Sequence, residues 1–256
     1  MNATTTGRLH TPVVLDETDH RVLRVTLNKA AEHNRLSADL VKAITDALDR
    51  AETGEHTRFF VLDAIGPMFC AGADLGDPND PRWRLDLAPA RELLTRLRDS
   101  RLVTIAVVEG AAIGGGVGVA AACDQVIAGR KARFRLTEVL LGLLPAMVLP
   151  VLAERIGVHH AYTMALTAQE IDAPRAVHSG LVDRVADEPE RELRTLLAGL
   201  GGASYSALRA LKGYRAALWP ASVEREQLIT SVLAARGADP DLQSRLRRLH
   251  DEGLLS

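Results

Sequence analysis

The sequence predicts an α/β protein, with a core in which strands alternate with helices and a helical region behind it. Apolar runs typical of buried strands recur along the first part of the chain, separated by segments with helical spacing. The last 65 or so residues, about a quarter of the chain, contain no convincing strand. At 256 residues, with 47% apolar and 25% charged side chains, the chain suits one large domain or one domain with an appendage. We therefore expect a core over residues 1–190 and a helical region over 191–256.

The first predicted elements are a hairpin, a helix and a buried strand. Two β-rich runs, 13–17 and 22–27, flank a polar turn and predict paired strands. Ser37 stands where a helix N-cap is expected, and apolar residues recur at helical spacing after it. The run RFFVLDAI at 58–65 is typical of a buried strand, and a turn-rich loop follows it as far as Pro81.

The same alternation continues through the rest of the core. Helices are predicted at 88–99, through the small residues 120–122, and over most of the chain from residue 148 onward. Gly157 and Gly180 are expected to follow the last turns of two helices, where glycine is the usual residue. The remaining strands are predicted at 102–108, 125–128, 132–135 and 181–185.

Charge and composition argue against several classes of function. With 31 Lys and Arg against 33 Asp and Glu, and only two Trp, three Tyr and four Phe, the chain lacks the basic field and the stacking rings of a nucleic-acid-binding protein. The uncharged apolar run 139–153 is shorter than the roughly 20 residues that span a bilayer. No secretory signal is visible, and Cys70 and Cys123 lack a CxxC partner. We expect a cytoplasmic protein with reduced thiols and with neither nucleic acid nor membrane as a partner.

Two glycine-rich turns are the most informative feature of the chain. In each, a strand ends, small residues turn the backbone and a helix is expected to begin: FCAGAD at 69–74 and IGGGVG at 113–118. A helix N-terminus presents unpaired N–H groups and a partial positive charge, so each turn is suited to an oxygen anion. If the turns lie side by side, one N–H from each converges on a single oxygen, as in an oxyanion hole. The alternative is that the glycines serve only tight turns and close packing.

Glu138, in RLTEVLLGLLP, is the candidate for acid–base chemistry. It is the last charge before the uncharged run, which places its carboxyl group at the edge of an apolar pocket. Desolvation there raises the pKa of a carboxyl group toward the range of a general acid or base. The alternative is an ordinary acid in the first turn of a helix, favoured by the helix dipole.

A dinucleotide-binding pattern occurs in the same part of the chain. Gly116, Gly118 and Ala121 fit GxGxxA, and Glu138 follows at the spacing of a ribose-binding acid. Against this, the pattern sits in mid-chain behind other α/β segments and leaves the 69–74 turn unexplained. A nicotinamide enzyme stays an alternative, and it predicts that the protein binds a dinucleotide.

Three segments resemble the crotonase superfamily, also called the enoyl-CoA hydratase/isomerase family. They are FCAGADL (69–75), TIAVVEGAAIGGGVGVAAACD (104–124) and ARFRLTEVLLGLLP (132–145). The likeness extends to 33–52 and 172–185, so it covers most of the chain. It implies a crotonase-like spiral of ββα units, whose C-terminal helices form a trimerisation region and build a homotrimer or a dimer of trimers.

The resemblance also implies a catalytic site. Carried over by position, Ala73 and Gly115 would supply the N–H groups that hold a thioester carbonyl oxygen, and Glu138 matches one of two family glutamates. The other glutamate falls where this chain has Gly118, which disfavours a two-glutamate hydratase and retains single-glutamate chemistry such as double-bond isomerisation. Substrate contacts are expected from Cys70, Ala71, Asp74, Leu75, Gly114 and Lys212.

A narrower resemblance, in GGGVGVAAACD and EVLLGLLPAMVLPVLAERIG, indicates the polyketide-biosynthesis branch that acts in β-branching. It implies dehydration of 3-hydroxy-3-methylglutaryl-acyl carrier protein to 3-methylglutaconyl-acyl carrier protein. An enoyl-CoA isomerase or hydratase, a decarboxylase of a glutaconyl thioester and a non-catalytic scaffold are the alternatives. The expected partner is an acyl carrier protein or coenzyme A, whose phosphopantetheine carries the acyl group, and no cofactor of the enzyme's own is expected.

Basic residues in the C-terminal region have two interpretations. Arg209, Lys212 and Arg215 lie at helical spacing and would meet phosphates or an acidic carrier protein. The alternative is a solvated helix face.

Four residues, two of them among the expected substrate contacts, are not expected to carry out chemistry or to bind a metal. His159 and His160 fit an exposed helix start better than a zinc site, so no metal is predicted. Cys70 is expected as a small buried side chain rather than a nucleophile. Asp74 is expected to cap a helix rather than to take part in chemistry.

Overall fold

The computed structural model describes residues 11–220 and 222–253, and these contain ten strands and eleven helices. The strands are β1 (Val13–Asp16), β2 (Val22–Leu27), β3 (Phe59–Ala64), β4 (Met68–Cys70), β5 (Val103–Val108), β6 (Ala111–Ile113), β7 (Gln125–Gly129), β8 (Arg133–Arg135), β9 (Ile171–Asp172) and β10 (Arg184–Ala186). The helices are α1 (Ala38–Thr53), α2 (Ala88–Asp99), α3 (Gly115–Ala122), α4 (Glu138–Leu141), α5 (Val148–Ile156), α6 (Val158–Thr167), α7 (Ala173–Ser179), α8 (Pro189–Gly201), α9 (Tyr205–Leu218), α10 (Val223–Gly237) and α11 (Pro240–Asp251).

Two sheets organise the core. The larger has the strand order β1-β2-β3-β5-β7-β10, in which only the β1–β2 hairpin is antiparallel. The smaller has the order β4-β6-β8-β9, in which only β8 and β9 are antiparallel. Along the chain a strand of the large sheet, a strand of the small sheet and a helix follow one another three times: β3-β4-α2, β5-β6-α3 and β7-β8-α4. This repeat is the ββα unit that the family resemblance predicts.

The central strands of the large sheet, β3, β5 and β7, are buried on both faces. In β3, Phe60 and Leu62 belong to the main core with α1, α2 and α3, whereas Phe59 and Val61 pack against Leu193 of α8. Every residue of β5 is buried. Because helices cover both faces, these strands are continuous apolar runs rather than alternating ones, which is the pattern from which they were predicted.

Most predicted elements are confirmed. The hairpin, the helix after Ser37, α2 and strands β3, β5, β7 and β8 occur where they are expected, within one or two residues. Gly157 and Gly180 follow the last turns of α5 and α7, with φ of 83° and 82°. The predicted cap differs in detail, because the Ser37 hydroxyl donates to the Asp39 carboxylate at 2.5 Å rather than accepting a backbone N–H.

The strand predicted at 181–185 is wrong at its start, because β10 begins at Arg184. Val182 N–H donates to Ala176 O at 3.1 Å and closes the end of α7 instead of joining the sheet. Strands β4, β6 and β9 were not predicted, since runs of two or three residues give no readable alternation.

The helices that follow the core pack in different ways. Leu193 and Leu196 of α8 cover the outer face of the large sheet, while α9 has no buried residue. Leu242 and Leu246 of α11 are buried near α4 and the loop between β4 and α2. Among the described helices, none combines the length and the apolar character needed to cross a bilayer.

Candidate active site

The two glycine turns lie side by side, because the strands that lead into them, β4 and β6, are parallel neighbours. A Cβ atom at Gly72 would lie 2.9 Å from Ile113 O and 3.3 Å from Gly115 N. A Cβ atom at Gly115 would lie 3.3 Å from Ala73 N. The turns approach this closely only because both glycines lack side chains, and the approach brings the backbones of Ala73 and Gly115 together.

Only the second turn starts a helix. Gly115 is the first residue of α3, so its N–H is one of those that a helix leaves unpaired. The prediction that a helix also follows the first turn is wrong, because residues 72–87 contain no helix and α2 begins at Ala88. The Asp74 carboxylate accepts the Gly76 N–H at 3.0 Å, and this local turn, with two prolines after it, prevents a helix.

The first turn is held in place by Leu36, which precedes α1. Leu36 N–H donates to Gly72 O at 2.8 Å, and Leu36 forms a parallel bridge with Ala73. In the described part of the chain, the N–H groups of Ala73 and Gly115 donate to no protein acceptor. Two neighbouring N–H groups are therefore available to an oxygen atom of a ligand.

Asn34 anchors the segment that precedes Leu36, and sequence reasoning missed it. The buried Asn34 side chain accepts the Lys29 N–H at 2.8 Å and donates to Ile65 O at 3.0 Å and to Met68 O at 2.9 Å. Its backbone is left-handed, with φ of 52°, which asparagine tolerates better than most residues. The available signal was an asparagine in the polar stretch HNRLS between a strand and a helix.

A cavity of about 70 Å³ lies between the two turns and α4. The turn residues Ala71, Gly72, Ala73, Gly114 and Gly115 line one side, and Glu138 and Thr137 line another. The rest of the wall is apolar and consists of Leu75, Leu87, Leu141, Leu143, Leu144, Pro145 and Met147. Of the described residues that line this cavity, Glu138 alone has an ionisable side chain.

Glu138 is the first residue of α4, and its carboxyl group lies against the second turn. A Cβ atom at Gly114 would lie 3.1 Å from Oε1, and Gly114 has φ of 51° and ψ of −117°. Oε2 is buried and has no hydrogen-bond partner among the described residues. Burial raises the pKa of the Glu138 carboxyl above its usual value, and its hydrogen bonds with the backbone of Glu138 and Thr137 act in the opposite direction. The group is therefore suited to both accepting and returning a proton.

A side chain at Gly118 would meet the apolar core rather than the cavity. A Cβ atom there would lie 2.9 Å from Leu94 Cδ1 and 3.2 Å from Val148 Cγ2. The position lies in the main core, under α2 and α5, and does not line the cavity. The site therefore has one carboxyl group.

The dinucleotide alternative is not supported by the fold. Gly116, Gly118 and Ala121 lie inside the buried helix α3 rather than in a turn before it. The parallel strands of the large sheet follow one another in sequence order, so this sheet lacks the reversal of strand order at which dinucleotides bind. Glu138 lies on α4, beside the glycine turn, rather than at the end of a strand.

Three of the predicted substrate contacts do not line the cavity. Cys70 is fully buried, and burial raises the pKa of its thiol to about 12, as expected for a packing residue. Asp74 is exposed and neither caps a helix nor faces the carboxyl group. Lys212 forms an ion pair with Asp124, whose carboxylate also accepts the Thr104 N–H at 2.8 Å. This ion pair joins α9 to the core.

A larger cavity of about 520 Å³ lies between α6 and α7 and contains none of the predicted site residues. His159, His160 and His178 line it. Among the described residues, no group of three or more His, Cys, Asp or Glu side chains is arranged to hold a metal ion.

Comparison with known proteins places this geometry in a family. The family model for enoyl-CoA hydratase/isomerase matches residues 17–232. The bacillaene synthase dehydratase PksH of Bacillus subtilis is 33% identical over 184 residues, which cover 70% of this chain and 71% of PksH. "Probable enoyl-CoA hydratase EchA14" of Mycobacterium tuberculosis is 33% identical over 225 residues, which cover 84% and 86%.

A solved structure agrees with the sequence comparisons. The crystal structure of the polyketide-biosynthesis enoyl-CoA hydratase PksH from Bacillus subtilis matches with a TM-score of 0.88 at 27% identity, covering 94% of this chain and 97% of that one. The protein is thus an enzyme of the lyase or isomerase type that resembles the PksH branch. Since the family model spans most of the chain and the folds agree, the chain belongs to the enoyl-CoA hydratase/isomerase, or crotonase, family.

Proposed function

We propose that the enzyme forms an enolate of an acyl thioester, with the Ala73 and Gly115 N–H groups on the carbonyl oxygen and Glu138 on the proton at C2. The observation that carries this proposal is the carboxyl group of Glu138 in the same apolar cavity as the paired turns, with Oε2 buried and without a partner. Charge that develops on the thioester oxygen meets two preorganised donors in a compartment of low polarity. Removing one such donor typically costs about 10² to 10³ in turnover.

One carboxylate is sufficient for a dehydration. Glu138 removes the C2 proton, and the electron pair of the C2–H bond forms the enolate. The enolate then re-forms the carbonyl and expels the C3 hydroxyl, which takes the proton back from Glu138 and leaves as water. Both groups depart from the side of the substrate that faces Glu138, and the carboxylate is regenerated.

The preferred substrate is 3-hydroxy-3-methylglutaryl-acyl carrier protein, and the product is 3-methylglutaconyl-acyl carrier protein. The similarity to PksH over 70% of the chain supports this choice, as does the packed glycine at position 118. The acyl group arrives on the phosphopantetheine of the carrier protein, or of coenzyme A, and the enzyme supplies no cofactor. Ala71, Leu75 and Gly114 would contact this arm.

A second candidate is the shift of a double bond in an uncharged enoyl-CoA. It is favoured by the cavity wall, because in the described lining no cation is present to pair with the terminal carboxylate of a glutaryl group. In this reaction Glu138 removes a proton at one carbon and returns it at another. Decarboxylation of a glutaconyl thioester would use the same oxygen-binding turns. Its first step, the loss of carbon dioxide, forms the enolate without a proton acceptor.

Product mass together with ultraviolet absorbance distinguishes these reactions, because loss of water changes the mass, whereas a double bond that moves into conjugation with the thioester changes the absorbance only. The purified enzyme is given 3-hydroxy-3-methylglutaryl-carrier protein and 3-enoyl-CoA in separate reactions, with Glu138→Gln as the inactive variant and Glu55→Gln, an exposed acid, as its control. If the carrier-protein substrate alone reacts, and loses water, dehydration is supported. If the 3-enoyl-CoA alone reacts, by isomerisation, the polyketide substrate is rejected. Turnover of either by Glu138→Gln at the wild-type rate would rule out Glu138 as the proton carrier.

We also propose that residues 191–256 form a helical region through which the chain assembles into trimers or dimers of trimers. The supporting observation is the apolar face of α9, where Leu211, Tyr214 and Leu218 are 62%, 62% and 48% exposed. Single exposed apolar residues are common, but a row at helical spacing indicates a contact surface. Sedimentation of wild type and of Tyr214→Glu tests this, since a monomeric wild type would contradict it.

A further inference from the structure

The last two helices contact the short helix that carries Glu138. With four residues, α4 has few internal hydrogen bonds to fix its position. Arg236, in the last turn of α10, donates from Nη2 to Gly142 O at 2.6 Å. Arg245 of α11 donates from Nη2 to Leu140 O at 2.6 Å. Both acceptors are carbonyl groups at the C-terminal end of α4, where basic side chains commonly satisfy unpaired oxygens.

The Arg236 guanidinium is held on two sides. Its Nη1 pairs with Asp239, whose other carboxylate oxygen caps α11 by accepting the N–H groups of Asp241 at 2.9 Å and Leu242 at 3.4 Å. Its Nε is buried without a hydrogen-bond partner among the described residues. Burying an N–H group without an acceptor costs free energy, so the other contacts of the Arg236 guanidinium offset that cost. Arg236 therefore connects α4 to the start of α11.

The apolar face of α11 continues the cavity wall. Leu242 and Leu246 are buried against Leu143, together with the partly buried Leu75 and Leu141. Leu143, Leu75 and Leu141 also line the cavity that contains the Glu138 carboxyl group. A displacement of α11 would thus open the same compartment that a displacement of α4 would open.

We propose that Arg236 is a positioning residue, which holds the C-terminal end of α4 and thereby keeps the Glu138 carboxyl group against the Gly114 turn. Arg245 supports the same helix from α11. The inference rests on the proposed function, since it concerns the group that is proposed to move the proton. No other described residue that lines the cavity is ionisable, and no charged neighbour contributes to the raised pKa of Glu138, so a change in that pKa reports a change in the position of the carboxyl group, through its burial and its hydrogen bonds with the backbone of Glu138 and Thr137.

The test compares Arg236→Gln with Arg248→Gln, which removes the same charge from an exposed position on α11. Arg236→Gln should lower kcat by up to about 10²-fold with little change in KM, because misplacing a reacting group by about 1 Å has this effect. Water that reaches the carboxyl group should shift the acid limb of the kcat profile to lower pH. Backbone amides 139–143 should exchange hydrogen faster, and Arg236→Lys should restore part of kcat.

The outcomes separate this inference from the proposed function. If Arg236→Gln matches Arg248→Gln in kcat, pH profile and amide exchange while Glu138→Gln is inactive, the positioning role is wrong and the proposed function stands. If Glu138→Gln keeps wild-type activity, the proposed function fails whatever Arg236 does. Should Arg236→Gln not fold, Arg236→Met, which keeps an unbranched side chain but removes the donors to Gly142 O, is measured instead, and wild-type exchange and kcat in that variant would overturn the inference.

Discussion

The contact between Gly114 and Glu138 gives a prediction whose size follows from the backbone. Gly114 has φ of 51° and ψ of −117°, a conformation that residues with a side chain rarely adopt. Replacing it by alanine adds a methyl group whose carbon would lie 3.1 Å from Glu138 Oε1. Gly114→Ala therefore introduces backbone strain and pushes the carboxyl group away from the turns.

Both effects have an expected magnitude. A strained backbone of this kind costs about 1–3 kcal/mol of the free energy of unfolding. For a chain of this size each kcal/mol changes Tm by about 2–4 °C, so Tm should fall by roughly 2–12 °C. A carboxyl group displaced by about 1 Å should lower kcat by up to about 10²-fold.

The assay is thermal unfolding by circular dichroism together with kcat on the substrate that wild type turns over. Gly199→Ala is the matched control, because Gly199 lies inside α8 and a Cβ atom there meets nothing within 4 Å. That control should gain about 0.5–1 kcal/mol, since alanine is the better helix former.

A double-mutant cycle isolates the contact from the strain. In a Glu138→Ala background the strain at Gly114 is retained but the contact is lost, so Gly114→Ala should destabilise the protein less, with a coupling of about 0.5–3 kcal/mol. If Gly114→Ala has the Tm and kcat of Gly199→Ala, the glycine requirement at this turn is refuted.

Three further predictions concern the same site. Glu138→Gln should lower turnover by about 10² to 10⁴-fold. The same variant should change how stability depends on pH, because burial raises the pKa of the wild-type carboxyl in the folded state. The stability that the protonated wild-type carboxyl contributes is fully present below its unfolded-state pKa and is lost as pH rises through its folded-state pKa. Unfolding measured from pH 4 to pH 8 should therefore show the Gln variant gaining on wild type with rising pH, and parallel curves would contradict the burial of the charge. Gly118→Glu should destabilise the protein by about 1–3 kcal/mol or more without creating hydratase activity. Urea unfolding measures the stability, and hydration of an enoyl-CoA measures the activity. Added hydratase activity with unchanged stability would show that the site has room for a second acid. Asn34→Ala should cost about 1–3 kcal/mol, because it removes the side-chain partner of the Lys29 N–H and of the Ile65 and Met68 carbonyl groups. A urea midpoint equal to that of wild type would show that water replaces the amide.

The sequence predicted five of the six strands of the large sheet and most helices correctly because their signals are local. Strand β5 is a continuous apolar run, and α2 has apolar residues at helical spacing from Ala90 to Leu97, so each needs no knowledge of its neighbours. Strands β4 and β6 were missed because each has only three residues, too few to show a period. Their pairing nevertheless places the two glycine turns side by side.

The site residues divide in the same way. Glu138 and the glycine turns are marked by local composition, so the sequence was sufficient to single them out. Lys212 and Asn34 could not be judged locally, because their partners are distant: Asp124 lies 88 residues from Lys212, and Ile65 and Met68 lie 31 and 34 residues from Asn34. A basic side chain at helical spacing is the same in sequence whether it meets a phosphate or a carboxylate across the fold.

The packing at Gly118 constrains the chemistry more strongly than the missing carboxylate alone. If the glycine stood in open space, a water molecule or a substrate group would have room to replace the second acid. Position 118 instead lies against Leu94 and Val148 in the core, and Glu138 is the one ionisable residue among the described residues that line the cavity, so under the proposed function the proton that Glu138 removes returns from Glu138 itself. A carboxyl group removes and returns a proton most effectively when its pKa lies near the pH at which the enzyme works. Burial raises the pKa of Glu138 above its usual value, which is a shift in that direction. The apolar wall and the single carboxyl group therefore act together, because the same residues that line the cavity without a second acid also bury Glu138 and raise its pKa.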